Sequence, residues 1–234
     1  ISMKIFFFIL FLPLFVNGQT HKEFWSKVNI TKQLNNRWDV GIDVQYRQQS
    51  NYKALDKDIF HYPLTRSIRS WVYYHSKNKW TIVASPLAYF VSDDIKNDLG
   101  ILKKTEEIRF MGGLMKGLLI KKIKINNRLL AEHRIIDVNN AQQYSQWRYR
   151  LQNSLTIPLH NVNKTTGANY ILSNEFFIKS QANVFSFDQE RLLNVFQWKF
   201  KHIDVDIGYQ WTIQKINKSN HHRNQWLMMT NIII

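Results

Sequence analysis

The sequence contains no cysteine. That absence excludes a disulfide framework, a thiolate metal site, a cysteine nucleophile and a lipoprotein anchor. Long hydrophobic runs are equally scarce. The longest, Ile5 to Phe15, is roughly 11 residues, against the about 20 a spanning helix needs. Acidic residues are few, with 17 Asp and Glu against 32 Lys and Arg, so the formal net charge is +15. Such a surplus raises the question of nucleic acid. The basic residues are scattered through every segment rather than gathered in one patch, so no nucleic-acid partner is expected. Catalytic signatures are also missing: no Gly-x-Ser-x-Gly, His-Glu-x-x-His or phosphate-binding glycine loop occurs.

Aromatic side chains, by contrast, are plentiful, with 8 Trp, 10 Tyr and 15 Phe spread along the chain. A soluble domain hides most of its aromatics in one core, whereas a membrane barrel also distributes them around its outer girdles. The amino terminus reads as an address. Ile1 and Ser2 precede Met3 and Lys4, then comes the short apolar run, then Val16-Asn17-Gly18-Gln19. A positive start, a short apolar stretch and small residues before a cut form a cleavable export signal. Residues 1–18 are therefore expected to be upstream residues plus signal peptide, and 19–234 a single barrel domain exported to the bacterial outer membrane.

From residue 20 onward, segments of about ten residues alternate apolar and polar, the period of a half-buried strand. Between Arg37 and Arg47, one face carries Trp38, Val40, Ile42, Val44 and Tyr46. The other carries Asp39, Gly41, Asp43, Gln45 and Arg47. Ile203 to Gln214 repeats the pattern. Nine weaker segments bring the count to about eleven, and the predicted fold is an all-β antiparallel transmembrane barrel of 10–12 strands, an even number being usual. Pro86 falls inside one segment and implies a bulge. Tight connections are expected at Asn35-Asn36, Ser76–Lys79, Gly117–Lys121, Pro158–Lys164 and Phe200–His202. Longer ones are expected at Ser50–Pro63, Ser92–Lys104, Ile135–Gln146, Lys179–Glu190 and Lys215–His222. Short periplasmic turns and long extracellular loops are the outer-membrane rhythm. A soluble β-sandwich or lipocalin-like barrel is the rival, with the apolar faces turned inward instead.

In the carboxy-terminal half, Trp147-Arg148-Tyr149-Arg150-Leu151, Ser173-Asn174-Glu175-Phe176-Phe177, Phe187 to Leu192 and Asp206 to Gln210 occur in that order. With Glu132-His133-Arg134 and the early Phe24-Trp25, this resembles the domain-of-unknown-function 2490 family of Gram-negative outer-membrane barrels. The resemblance covers most of the mature chain and implies a barrel and export. It carries no activity, so no catalytic residues transfer.

If the apolar faces look at lipid, the polar faces share one lumen. Neighbouring strands then bring Glu107 and Arg109 beside Arg128, Glu132 and Arg134, followed by Arg148 and Arg150, Glu175 and Arg191. Buried charges of this number require pairing, and arginine's planar fork suits carboxylates. The bland expectation is a structural ion-pair network; the sharper one is a basic wall that selects anions. Asp39, Asp43, Asp204 and Asp206 would form an acidic wall across from the arginines. For a lipid hydrolase, His75, His133 and His160 are the candidate bases and Ser145, Ser154 and Ser173 the candidate nucleophiles, with no spacing that singles out a pair. His221-His222 sits where a surface metal contact is conceivable, but no resident metal or cofactor is expected. The expected product is a monomer embedded in outer-membrane lipid and lipopolysaccharide, inserted by the barrel-assembly machinery. It is structural or a narrow passage for small, anionic solutes; a membrane lipid hydrolase and a soluble periplasmic binding protein are the alternatives.

Overall fold

The computed structural model describes residues 20–50, 58–95, 102–139, 142–161, 166–182, 184–216 and 219–234. The export signal proposed for residues 1–18 lies outside them. Eleven strands follow one another around a closed barrel: β1 (Thr20–Gln33), β2 (Trp38–Gln49), β3 (Tyr62–His75), β4 (Trp80–Ile95), β5 (Leu102–Ile120), β6 (Ile123–Val138), β7 (Gln142–Asn161), β8 (Gly167–Gln181), β9 (Val184–Lys199), β10 (Ile203–Ile216) and β11 (Ser219–Ile233). Consecutive strands pair antiparallel. An odd number then forces β1 and β11 to meet in parallel, with Phe24 opposite Trp226 and Asn29 opposite Asn231. The Phe24 segment is thus part of the wall, which accounts for the odd strand count.

Residues of one face in every strand point out and the other in. Val44, Ile68, Leu114, Leu129, Leu151, Ile207 and Trp226 are exposed on the outside. Glu23, Asp43, Glu132, Arg148 and Gln225 are buried on the inside. A soluble barrel reverses this arrangement.

The two ends differ in construction. At one end the turns are tight. Asn35 Oδ1 accepts from the Arg37 and Trp38 amides at 2.8 and 3.0 Å, a side-chain turn that closes β1–β2. Lys79 and Lys121 take positive φ in the β3–β4 and β5–β6 turns. At the other end β2 stops at Gln49 and β3 begins at Tyr62. Much of the long connections expected at Ser92–Lys104, Ile135–Gln146, Lys179–Glu190 and Lys215–His222 is instead strand: β4 runs to Ile95 and β5 begins at Leu102, while β6 runs to Val138, β8 to Gln181 and β10 to Ile216. Their polar side chains mimic loop composition, but cross-strand pairing continues past the apolar band, with Asp137 opposite Gln143 and Gln214 opposite His221.

Pro86 lies in a register shift between Ser85 and Ala88, matched by one between Arg69 and Val72. Ser70 replaces the missing ladder bonds, donating to the Leu87 carbonyl at 2.9 Å and accepting from its amide at 3.3 Å. Gly113 permits a close approach between β5 and β6. A Cβ there would lie 2.0 Å from the Leu129 carbonyl oxygen and 2.7 Å from Leu130 Cδ2. Leu130 leans across it into an inward apolar cluster with Trp71, Val83, Ala88, Phe90 and Met111. Gly113→Ala must therefore move backbone, and we expect a loss of about 2 kcal/mol in urea unfolding. A loss below about 0.5 kcal/mol would contradict the close approach.

Candidate functional site

The inward faces of β5 to β9 build a charged layer. Register sets Glu132 directly opposite Arg148 and Glu175 opposite Arg191. Arg150 stands on β7 between Glu132 and Glu175 and reaches both: its Nη1 is 2.5 Å from Glu132 Oε1 and its Nη2 2.6 Å from Glu175 Oε1. Arg148 donates to Glu132 Oε2 through Nε at 2.7 Å. Arg128 donates to Glu175 at 3.1 Å. One strand away, Glu107 takes Arg109 at 2.7 Å and Arg134 at 2.9 Å. Three carboxylates thus contact five guanidiniums through charge-assisted bonds. Asp188 adds Arg148 at 3.6 Å and Lys179 at 3.5 Å.

Guanidinium planes also rest on inward aromatic rings, a feature absent from the sequence reading. Arg148, Arg150 and Arg191 lie 5.2, 4.9 and 4.6 Å from the centre of Phe177, which is wholly buried. Arg109 lies 3.6 Å over Phe90, and Arg47 3.9 Å over Trp25. Such stacking adds attraction without consuming a hydrogen-bond donor. The signal for it was phase: Trp25 alternates in step with Glu23 and Lys27, and Phe177 with Glu175 and Lys179.

The four aspartates do not make a bare acidic wall. Asp43 is enclosed by Arg69 Nε at 2.7 Å, Trp71 Nε1 at 2.6 Å and Lys27 Nζ at 3.8 Å. Asp39 contacts His75 Nε2 at 2.7 Å. Asp206 accepts from Asn231 at 3.0 Å, and Asp204 is half-buried beside it on the lumen side of β10. Asp43 and Asp204 flank the β1–β11 seam at one level, separated by the Asn29–Asn231 contact. Strand phase places the aspartates inward, and Lys27 of β1 and Arg69 of β3 reach Asp43.

Two cavities occupy the lumen. The turn-end cavity, about 820 Å³, is lined by Asp39, Tyr73, His75, Lys79, Thr81 and Lys124 among others. The loop-end cavity, about 470 Å³, is lined by nine basic side chains and only two acidic ones, Glu107 and Asp188. Lys27, Asp43, Arg69, Arg128, Glu132, Arg150 and Glu175 line neither. Along β6 the sequence of levels is explicit: Asn126 lines the turn-end cavity, Arg128 and Glu132 follow, and Arg134 lines the loop-end cavity. The ion-pair layer lies between the two cavities along the strands.

The hydrolase candidates are dispersed. His75 bridges Asp39 and Thr81, the latter at 3.1 Å. His133 packs against Trp147 on the outside. Ser173 Oγ is held by Gln152 at 2.8 Å. None of these histidines is hydrogen-bonded to Ser145, Ser154 or Ser173 among the described residues. His222 stacks on Trp211, and no cluster of three metal-ligating side chains occurs among the described residues.

Closure by a parallel seam, together with a lumen divided by an ion-pair layer, defines an odd-stranded all-β barrel. Residues 22–225 match the family model described as protein of unknown function (DUF2490). The chain belongs to that family. No curated protein and no solved structure matches it.

Proposed function

We propose that the chain is an exported outer-membrane barrel whose basic lumen serves as a narrow passage for small anions. One observation carries this reading: the charged residues are inside and the large apolar residues are outside. An aqueous environment penalises that inversion, whereas a bilayer requires it. Aromatic side chains strengthen it at the turn end, where Trp38 with Tyr74 and Trp80 sit near the strand ends on the outer surface. Insertion by the barrel-assembly machinery and contact with lipopolysaccharide follow from the same reading.

Inside, rings of Arg and Lys favour anions in a constricted pore. The nine-to-two excess around the loop-end cavity supplies such a field. The expected result in planar bilayers is a small conductance whose reversal potential in a salt gradient reports anion over cation passage. A cation-selective current, or none, would overturn the passage. Parallel assays of phospholipid and lipid A turnover are expected to release no fatty acid; release would favour the hydrolase instead.

A further inference from the structure

Five guanidiniums of the lumen are matched by Glu107, Glu132 and Glu175, Arg69 is matched by Asp43, and Arg223 by Glu23. Two are not. Arg47 contacts no carboxylate among the described residues within ion-pair distance, and its Nε is buried without a hydrogen-bond partner. Glu23, the opposite charge acting most strongly on it, is already bonded to Arg223 and Gln225. Arg191 reaches Glu175 only at 3.9 Å, and that carboxylate holds Arg128 and Arg150 more closely. Its other acceptor is the neutral amide oxygen of Gln189, at 2.7 Å with the amide turned to accept.

Both side chains line the loop-end cavity. Arg148 and Arg223 line the same cavity, each already holding a carboxylate. Like charges gathered around one cavity repel one another, and an anion among them relieves that repulsion. Their guanidiniums lie against aromatic rings, Arg47 at 3.9 Å from the centre of Trp25 and Arg191 at 4.6 Å from that of Phe177. Two guanidinium forks in a cavity with nine basic and two acidic side chains match a tetrahedral dianion, which offers three acceptor oxygens and a charge near −2. A monocarboxylate would neutralise only one.

We infer that Arg47 and Arg191 form a binding site for a compact phosphate-class oxyanion at the loop-end vestibule. This deepens the anion-lumen reading, on which it rests for the route of entry. The cavity, about 470 Å³, admits a small phosphomonoester from solution; a lipid phosphate offers the same chemistry from the membrane.

The test is calorimetric titration of the full barrel in a neutral, phosphate-free detergent. Inorganic phosphate is expected to bind at least about tenfold more tightly than acetate. Arg47→Gln and Arg191→Gln should each weaken phosphate binding about tenfold or more, while Arg66→Gln, on the outside, leaves it unchanged. Arg47→Lys, which keeps the charge and loses the fork, should fall between. If the glutamine variants fail to fold, the wild-type barrel provides the reading through a phosphate-dependent rise in unfolding temperature that acetate does not reproduce. Competition by glucose 6-phosphate identifies a solute as the source, and competition only by lipid A identifies a headgroup. Wild-type barrel that ignores millimolar phosphate, equal affinity for acetate, or folded variants with wild-type affinity would overturn the site. Anion-selective conductance without phosphate binding leaves the passage standing and removes the site; phosphate binding without conductance does the reverse.

Discussion

Glu132→Gln is expected to cost the barrel about 3 kcal/mol or more in urea unfolding followed by tryptophan fluorescence. Glu132 is fully buried and holds Arg148 at 2.5 Å on one oxygen and Arg150 at 2.5 Å on the other. Glutamine keeps the volume and one acceptor but removes the only charge that neutralises both neighbours at once. Arg148 is left with Asp188 at 3.6 Å, and Arg150 with a Glu175 shared by Arg128. The loss is thus the penalty of an uncompensated buried cation, not merely of a missing contact. Two comparisons make this specific. Arg66→Ala breaks the exposed pair with Asp93 and should change stability by less than about 0.5 kcal/mol. Arg148→Gln added to Glu132→Gln should recover part of the loss, because it removes the stranded cation. A single-variant cost below about 1 kcal/mol would show that water enters the layer and screens it.

The strands were legible because their two faces differ so sharply in chemistry. Alternation from Trp38 to Arg47 is enough to place β2 and to separate Val44 from Asp43. The same applies from Ile203 to Gln214 in β10. The parallel seam that closes the barrel is not legible, because the β1–β11 pairing joins residues about two hundred positions apart and leaves no local mark. Strand ends at the loop side were misjudged for a related reason: polar residues above the apolar band look like loop, although Tyr144 still pairs with Ile136. Phase alone gathers Glu132, Arg148, Arg150 and Glu175 in one lumen. Which carboxylate meets which guanidinium depends on register, and register needs the turn geometry. Arg47 is visible on a polar face, but the distance to its nearest carboxylate is a property of the folded lumen rather than of the strand. Phe177 and Trp25 were hidden by the expectation that aromatics face outward.

Leu129→Arg is expected to lower stability in lipid vesicles by about 2–4 kcal/mol and to reduce the folded fraction recovered there. Leu129 is 54% exposed at mid-height on β6, with Leu114 opposite on β5 and Leu151 opposite on β7, both also exposed. The three form a continuous apolar patch on the outer surface, directly behind the ion-pair layer. In water, arginine at so open a position would be nearly neutral for stability and helpful for solubility. In a bilayer, its guanidinium would sit at the depth where a charge is least tolerated, too far from either interface to reach it cheaply. The sign and size of this one substitution therefore separate the membrane barrel from a soluble one. Equal stability of the variant and the wild type in vesicles, with both chains remaining soluble after detergent removal, would place the apolar face in water and overturn the outer-membrane reading.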